Sequence, residues 1–363
     1  MNKSTLNVIK SRVKVIGPYT LKQSQAKIKI NQNENPYDLP ESLKAEVLKR
    51  MEKKAWSRYP DFVPQHTIEK LAQFTGWMPE GILIGNGSNE LLENILMVTV
   101  EKGRKVVIPQ PTFALYKLLV TILGGDMVDV LLTKNFCFDL EAIREALDKQ
   151  RPDVLILCSP NNPTGCIIPE SDLEQILKSF TGLVIVDEAY QEFSGQTAFS
   201  LLRKFDNLIL TRTFSKAMSM AGLRMGYILA HPKIAEHINK AKLPYNVNVF
   251  TLTAAEVVLE NFGLLQERID RIIAERERVF RELKTIPGVT PYQSYANFIL
   301  FETAKSPETV FNALLKQGVL IRDVSRFPML GKALRVSIGT PEENDRFLAA
   351  LKEVEARRAQ REG

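Results

Sequence analysis

Leu208-Ile209-Leu210-Thr211-Arg212-Thr213-Phe214-Ser215-Lys216-Ala217-Met218-Ser219-Met220-Ala221-Gly222-Leu223-Arg224 is the stretch around which the chain is organised. Leu208–Leu210 is a short apolar run of the kind that forms a buried strand. Two hydroxyls, Thr213 and Ser215, then Lys216, then Arg224 follow it in otherwise small and apolar surroundings. A lysine held in an apolar pocket loses proton affinity and becomes a usable amine nucleophile. Hydroxyls and a guanidinium nearby are what a phosphate dianion needs.

An amine beside a phosphate site suits a lysine that holds pyridoxal phosphate as a Schiff base. Taken alone, Lys216 reads more simply as a solvated surface charge, so the neighbouring segments decide. Before it, Leu183–Val186 is another apolar run, and Asp187-Glu188-Ala189-Tyr190 follows. A carboxylate at the end of such a run is rarely idle, because an unpaired buried charge is costly; a helix cap or a structural ion pair is the plainer alternative. Val154–Cys158 runs into Ser159-Pro160-Asn161-Asn162-Pro163-Thr164-Gly165, where Asn162 is a turn cap or a ligand.

Further toward the N-terminus, Ile82–Ile84 is a short apolar strand followed by Gly85-Asn86-Gly87-Ser88-Asn89-Glu90 and a helix through Val100. Glycines leading into a helix start make an anion site, because free backbone N–H groups and the helix dipole point at the ligand. A plain helix capped by Ser88 or Asn89 is the alternative. Glu90 stands where a dinucleotide fingerprint needs its third glycine. Lys105–Ile108 is a strand, and Pro111-Thr112-Phe113 opens a helix that contains Tyr116. The patterns keep alternating through Met127–Leu132, Leu140–Lys149, Val154–Cys158, Glu170–Phe180 and Leu183–Val186. This predicts an α/β fold with a largely parallel sheet covered by helices on both faces. Ligands in such folds lie beyond the carboxyl ends of strands, where these polar motifs fall.

The flanks are less regular. Residues 1–31 read as an N-terminal arm, with a turn at Gly17-Pro18-Tyr19; Asn33-Glu34-Asn35-Pro36 is a turn, Pro40–Lys54 a helix, and Arg58-Tyr59-Pro60-Asp61 a loop. Arg224–Ala230 is the next strand, and from Val249 the pattern is mostly helical. Leu264–Ile286 carries Leu265, Ile269, Ile272, Val279 and Leu283 along one face, which predicts a long helix linking to a second domain. Its strands would be Asn297–Phe301, Val319–Ile321 and Leu334–Ile338, with Arg322 and Arg335 in apolar strand contexts and aimed at an anion or a buried carboxylate.

With 363 residues the chain is long enough for more than one domain. Its 45% hydrophobic and 25% charged residues are those of an ordinary globular protein. The net charge of +6 is scattered rather than gathered into the stripe that nucleic-acid binding would favour. No apolar run reaches the roughly 18 residues needed to span a membrane. The cysteines, Cys137, Cys158 and Cys166, are too few and too irregular for a disulfide framework or a zinc site; Cys158 reads as a packed core thiol, and a reducing compartment fits. The histidines, His66, His231 and His237, lie outside every motif.

Taken in order, these motifs resemble the fold type I pyridoxal-phosphate enzymes, and more narrowly the histidinol-phosphate aminotransferase family. The resemblance runs from Pro18-Tyr19 to Arg335 and rests on Asn33-Glu34-Asn35-Pro36, Arg58-Tyr59-Pro60, Gly85–Glu90, Ser159–Gly165, Asp187–Tyr190 and Ser215-Lys216…Gly222-Leu223-Arg224. It implies a large cofactor-binding domain at 32–248 with a mostly parallel mixed sheet, and a smaller α/β domain at 249–363. It also implies a cytoplasmic homodimer with shared active sites.

For the residues, the resemblance implies that Lys216 forms the Schiff base and later moves a proton between Cα and the cofactor's C4′. Asp187 would pair with the pyridine nitrogen, Tyr190 and Asn162 with the ring's 3′-oxygen, and Phe113 would stack on the ring. The family often has tyrosine at the Phe113 position and Asp where Asn89 stands. Ser88, Asn89, Thr213, Ser215 and Arg224 would hold the phosphate, with Tyr59 reaching the neighbouring subunit's cofactor. Arg335, with Arg322, Tyr19 and Asn33, would bind the substrate's anion. The implied reaction moves an amino group between L-histidinol phosphate and 2-oxoglutarate, giving imidazole acetol phosphate and glutamate, in histidine biosynthesis. Aromatic amino-acid aminotransferases and threonine-phosphate decarboxylases share the pattern. A non-catalytic relative is disfavoured by Lys216 and Asp187 together, a serine hydrolase by Thr213 standing where Ser-x-x-Lys needs serine, and a nicotinamide dehydrogenase by the missing glycine fingerprint.

Overall fold

The apolar runs lie where their composition demands, inside a sheet. The computed structural model describes residues 5–17 and 24–356. Its strands in chain order are β1 (Ile28–Lys29), β2 (Ile82–Gly85), β3 (Lys105–Gln110), β4 (Asp126–Leu131), β5 (Val154–Cys158), β6 (Leu183–Asp187), β7 (Leu208–Thr213), β8 (Gly226–Ala230), β9 (Val289–Pro291), β10 (Phe298–Thr303), β11 (Val319–Leu320), β12 (Arg322–Asp323) and β13 (Ala333–Ser337).

One sheet has the order β2-β8-β7-β6-β5-β3-β4. From β4 to β7 every pairing is parallel, whereas β8 is antiparallel to both β7 and β2. The reversal has a local cause. The loop from Phe214 to Met225 carries the chain from β7 into β8 without a crossover helix, and parallel neighbours need such a crossover. Every residue of β5, β7 and β8 is buried. Alternate side chains serve two cores: Leu155, Leu157, Val184, Val186, Leu208 and Leu210 on one face, and Val154, Ile156, Ile185 and Ile209 on the other. Burial on both faces is why these strands read as continuous apolar runs rather than alternating ones.

A second, antiparallel sheet has the order β12-β13-β10-β9. The long helix Gly263–Lys284 contributes Leu265 to the first core, and Ile269, Ile272, Val279 and Leu283 to a core around the second sheet. β1 pairs in parallel with β11, which ties residues just before the Asn33 turn to the C-terminal part of the chain. Farther out, Lys10 and Arg12 donate to the carbonyls of Ile122 and Gly124, capping the helix Ala114–Leu123 with positive charge. No helix among the described residues is long and apolar enough to cross a membrane.

Candidate active site

Ser88 is the first residue of its helix, and Gly87 is the cap, with no side-chain capping bond. The expected cap at Ser88 or Asn89 is therefore displaced by one position or more, which leaves both polar side chains facing the ligand space rather than their own backbone. Gly87 has φ 81° and ψ 160°, a region essentially closed to residues with a Cβ. A Cβ there would also lie 2.3 Å from Arg224 Nη2. On β8, a Cβ at Gly226 would fall 2.3 Å from the Ser88 nitrogen. Glycine at both points lets the helix start, the β8 entry and the Arg224 guanidinium crowd together.

These groups line a cavity of about 290 Å³. Its wall holds Ser88, Asn89, Phe113, Asn162, Asp187, Tyr190, Thr213, Ser215, Lys216 and Arg224, together with Asn33, Arg322 and Arg335. One described residue named from the sequence, Tyr59, is not there. Tyr59 is 80% exposed and stacks on Tyr245 with ring centroids 4.6 Å apart. Tyr19 lies outside the described residues. Cys158 is a packed core thiol, as expected, but it also reaches the cavity wall.

Lys216 Nζ donates to the Gln32 carbonyl at 3.0 Å and lies 5.7 Å from the centre of the Tyr190 ring. Its backbone is fixed by Asn35, whose Nδ2 donates to the carbonyls of Lys216 at 3.2 Å and Ala217 at 3.0 Å. Burial brings the amine down to about 7, helped by the Arg335 and Arg224 guanidiniums and opposed by Glu34 and Asp187. Near neutrality it is thus both a base and a nucleophile.

Asp187 ends β6, where it is buried. Its Oδ2 accepts the Tyr116 hydroxyl at 2.6 Å, and its Oδ1 accepts the Ala189 amide at 3.1 Å. Burial pushes its carboxyl up, while the Tyr116 bond pulls it down. Among the described residues it forms no ion pair. Tyr190 receives a hydrogen bond from Asn33 Nδ2 at 3.0 Å, which leaves its own O–H to donate. Asn33, at φ 56°, is in turn held by Ser337 Oγ, which donates to Asn33 Oδ1 at 2.9 Å and accepts its amide at 2.8 Å.

Cations gather in two groups. Arg224 Nη1 donates to Ser215 Oγ at 3.0 Å, and the Thr213 hydroxyl donates to Ser215 at 2.9 Å. Arg224 itself has φ 59°, a conformation a bulky residue rarely adopts. Arg335 donates through Nη2 to the Asn31 carbonyl at 2.8 Å and through Nη1 to Asn162 Oδ1, and stacks over Phe298. Arg322 is its register partner across β12 and β13. Among the described residues, Lys216 and three arginines line the cavity against the single carboxylate of Asp187, so the site favours anions.

Three partners escaped the sequence reading. Tyr116 carried a signal, since it lies one helical turn beyond Phe113 and so shares its face. Asn35 carried one too, inside the Asn33–Pro36 motif. Gln32 acts through its carbonyl, and a backbone acceptor leaves no trace in residue type.

The residues fit pyridoxal phosphate on the structure's own terms. A fully buried carboxylate without a cation suits a protonated ring nitrogen. The crowded helix start with Ser88, Thr213, Ser215 and Arg224 suits a phosphate. The amine of lowered proton affinity suits a carbonyl.

Comparison with known proteins agrees. The model of the family described as aminotransferase class I and II matches residues 25–351. The chain is 40% identical to the histidinol-phosphate aminotransferase of Chlorobaculum tepidum over 331 residues, 91% of this chain and 95% of that protein. It is 36% identical to that of Thermoanaerobacter pseudethanolicus, over 96% of this chain and 99% of the relative. Among solved structures, histidinol-phosphate aminotransferase from Sinorhizobium meliloti in complex with pyridoxal-5′-phosphate superposes with a TM-score of 0.86 at 26% identity, covering 96% of this chain and 97% of that one. The chain belongs to the class I and II aminotransferases, and within them to the histidinol-phosphate aminotransferase family.

Proposed function

We propose that this enzyme transfers an amino group between L-histidinol phosphate and 2-oxoglutarate, giving imidazole acetol phosphate and L-glutamate, as a step in histidine biosynthesis. The observation that carries the reading is one cavity with a poised amine, a lone buried carboxylate and two separate groups of anion-binding side chains. One group is for the cofactor's phosphate. The other, Arg335 with Arg322, takes the substrate phosphate in one half-reaction and a carboxylate in the other. A guanidinium binds either anion in the same bidentate way.

Pyridoxal phosphate, when bound, supplies a carbonyl carbon for the amino group and a ring that takes up the electron pair released at the substrate's Cα. Asp187 would face the ring nitrogen. Tyr190, free to donate its O–H, and Asn162 would hold the ring oxygen. Asn162 is fit for this because Arg335 takes its Oδ1 and leaves its Nδ2 as donor. Phe113 would cover the ring, while Ser88, Asn89, Thr213, Ser215 and Arg224 would bind the phosphate. Lys216 Nζ, neutral in a large fraction of molecules near pH 7, would take the proton from the substrate's Cα and return it on the far side of the transfer. Asn33 would act through Tyr190, holding its hydroxyl in place, as well as lining the substrate space; Tyr19 would close that space.

The same reading makes the enzyme a cytoplasmic homodimer, with the arm at 1–31, the cofactor domain at 32–248 and the small domain at 249–363. Exposed Trp56, Tyr59, Phe62 and Leu243 support a partner surface beside the Tyr59–Tyr245 stack. There Tyr59 would complete the neighbour's phosphate site.

The test is an absorbance titration of the purified enzyme with pyridoxal phosphate, followed by L-histidinol phosphate without a keto acid. A visible cofactor band that converts to pyridoxamine phosphate is expected, and 2-oxoglutarate should restore it. A band that ignores histidinol phosphate but responds to an aromatic amino acid, or carbon dioxide released from threonine phosphate, would refute the substrate assignment.

A further inference from the structure

Among the described residues Asp187 is the one carboxylate in the cavity wall, and its surroundings are set by several elements. Tyr116 reaches it from the helix Ala114–Leu123, while Cys158 on β5 and Thr211 on β7 are its register neighbours. Glu188, Tyr190 and Lys216 complete the titratable groups that feel its charge. Of these, Tyr116 makes the shortest contact, 2.6 Å from hydroxyl to Oδ2. Tyr116 is wholly buried, and Phe113 meets it edge to face with ring centroids 5.6 Å apart.

We propose that the Tyr116 hydroxyl is a positioning group, which holds the Asp187 carboxylate through one oxygen in the orientation and charge state that the cofactor's ring nitrogen requires. The inference rests on the pyridoxal-phosphate reading above. Its reasoning is steric and electrostatic. With the Ala189 amide on Oδ1 and the Tyr116 hydroxyl on Oδ2, the carboxylate plane cannot rotate. Each bond favours the anion, and an O–H donor this close to a buried carboxylate is of the stronger, charge-assisted kind. Burial acts the other way and favours the neutral acid. The phenol's own ionisation is pushed up by burial and by Asp187, so it stays a donor across the working range. A neutral Asp187 could not serve as counter-ion to a protonated ring. One helix thus delivers both the face that covers the ring, through Phe113, and the group that sets the opposing charge, through Tyr116.

The test uses full-length enzyme and two substitutions of opposite effect. Tyr116→Phe removes the donor and keeps the ring. Replacing Tyr116 by 3,5-difluorotyrosine, through suppression of a stop codon, keeps the shape and strengthens the donor. Two quantities are read: the Asp187 titration in cofactor-free protein, by carbon NMR of labelled aspartate with assignment from Asp187→Asn, and the dissociation constant of pyridoxal phosphate. For the Phe variant, the Asp187 titration should move to higher pH and cofactor binding should weaken about 10-fold, a change of about 1.4 kcal/mol. The difluorotyrosine variant should move both the opposite way. Unchanged titration and binding in the Phe variant, or shifts of the same sign in both variants, would overturn the assignment. Should the Phe variant fail to fold, the difluorotyrosine variant decides alone. Wild-type protein that binds no pyridoxal phosphate would sink the functional reading instead, and the Asp187 titration would still report on Tyr116.

Discussion

Replacing Lys216 by methionine should stabilise the cofactor-free protein, and by an amount that depends on pH. Burial holds the lysine at about 7, against an ordinary 10.5. A tenfold loss of proton affinity is worth about 1.36 kcal/mol, so the buried ammonium costs up to about 5 kcal/mol. Two effects reduce the gain. The amine faces a cavity that admits water, and methionine gives up the bond from Nζ to the Gln32 carbonyl, worth about 1 kcal/mol. A net gain of about 2–3 kcal/mol at pH 6 is the expectation. The sign follows from proton counting. Below pH 7 the lysine is charged in both the native and the unfolded chain, and the full cost applies. Between about pH 7 and 10.5 the unfolded chain holds a proton that native Lys216 has released, so wild-type stability rises with pH and the gap closes. Urea midpoints of both cofactor-free proteins at pH 6, 8 and 9.5 measure it. A gap that is the same at all three, or a methionine variant less stable at pH 6, refutes the reasoning.

Other substitutions probe the rest of the site and its support. Gly87→Ala forces a Cβ against Arg224 in a backbone region that costs about 1–3 kcal/mol, so pyridoxal-phosphate binding should weaken at least 10-fold by equilibrium dialysis, with the helical circular dichroism unchanged. Arg335→Lys loses the planar fork that binds Asn162 and Asn31 together; kcat/KM should fall about 10–100-fold for histidinol phosphate and for 2-oxoglutarate alike, and a loss confined to one of them would show that the two anions use different groups. Glu188→Ala removes the carboxylate paired with buried Arg212, whose Nε and Nη2 lie 2.9 and 2.8 Å from Glu188 Oε2, and should lower unfolding stability by about 3 kcal/mol in urea titrations, with the Thr197 bond left to Nη2.

Much of this was written in residue order. Val154–Cys158, Leu183–Val186 and Leu208–Leu210 announced central strands because a strand covered on both faces carries mostly apolar side chains. Asp187 stood out because a charged residue directly after such a run must find a cation or a cavity, and Lys216 because it follows two hydroxyls in small, apolar surroundings. The helix Glu170–Ser179 was legible from Leu173, Ile176 and Leu177, one face at helical spacing. The helix Val249–Glu260 showed no such stripe, since Thr251 through Val258 are all buried. Nor did periodicity reveal that β8 runs backward, because apolar content carries no direction.

What the sequence determined by itself is the inventory: which runs enter the sheet, which polar residues wait at strand ends, and which amine and carboxylate are available. Those are properties of neighbouring residues, and local chemistry is enough to read them. Tertiary structure alone decided the partnerships. Ser337 steadies Asn33 from 304 positions away, so that Asn33 can hold Tyr190. Arg335 meets Asn162 across 173 positions, and Tyr116 meets Asp187 across 71. Hydrogen bonds are chosen by a distance window of a few tenths of an ångström and by angle, and only the packed chain brings atoms so far apart in sequence into that geometry.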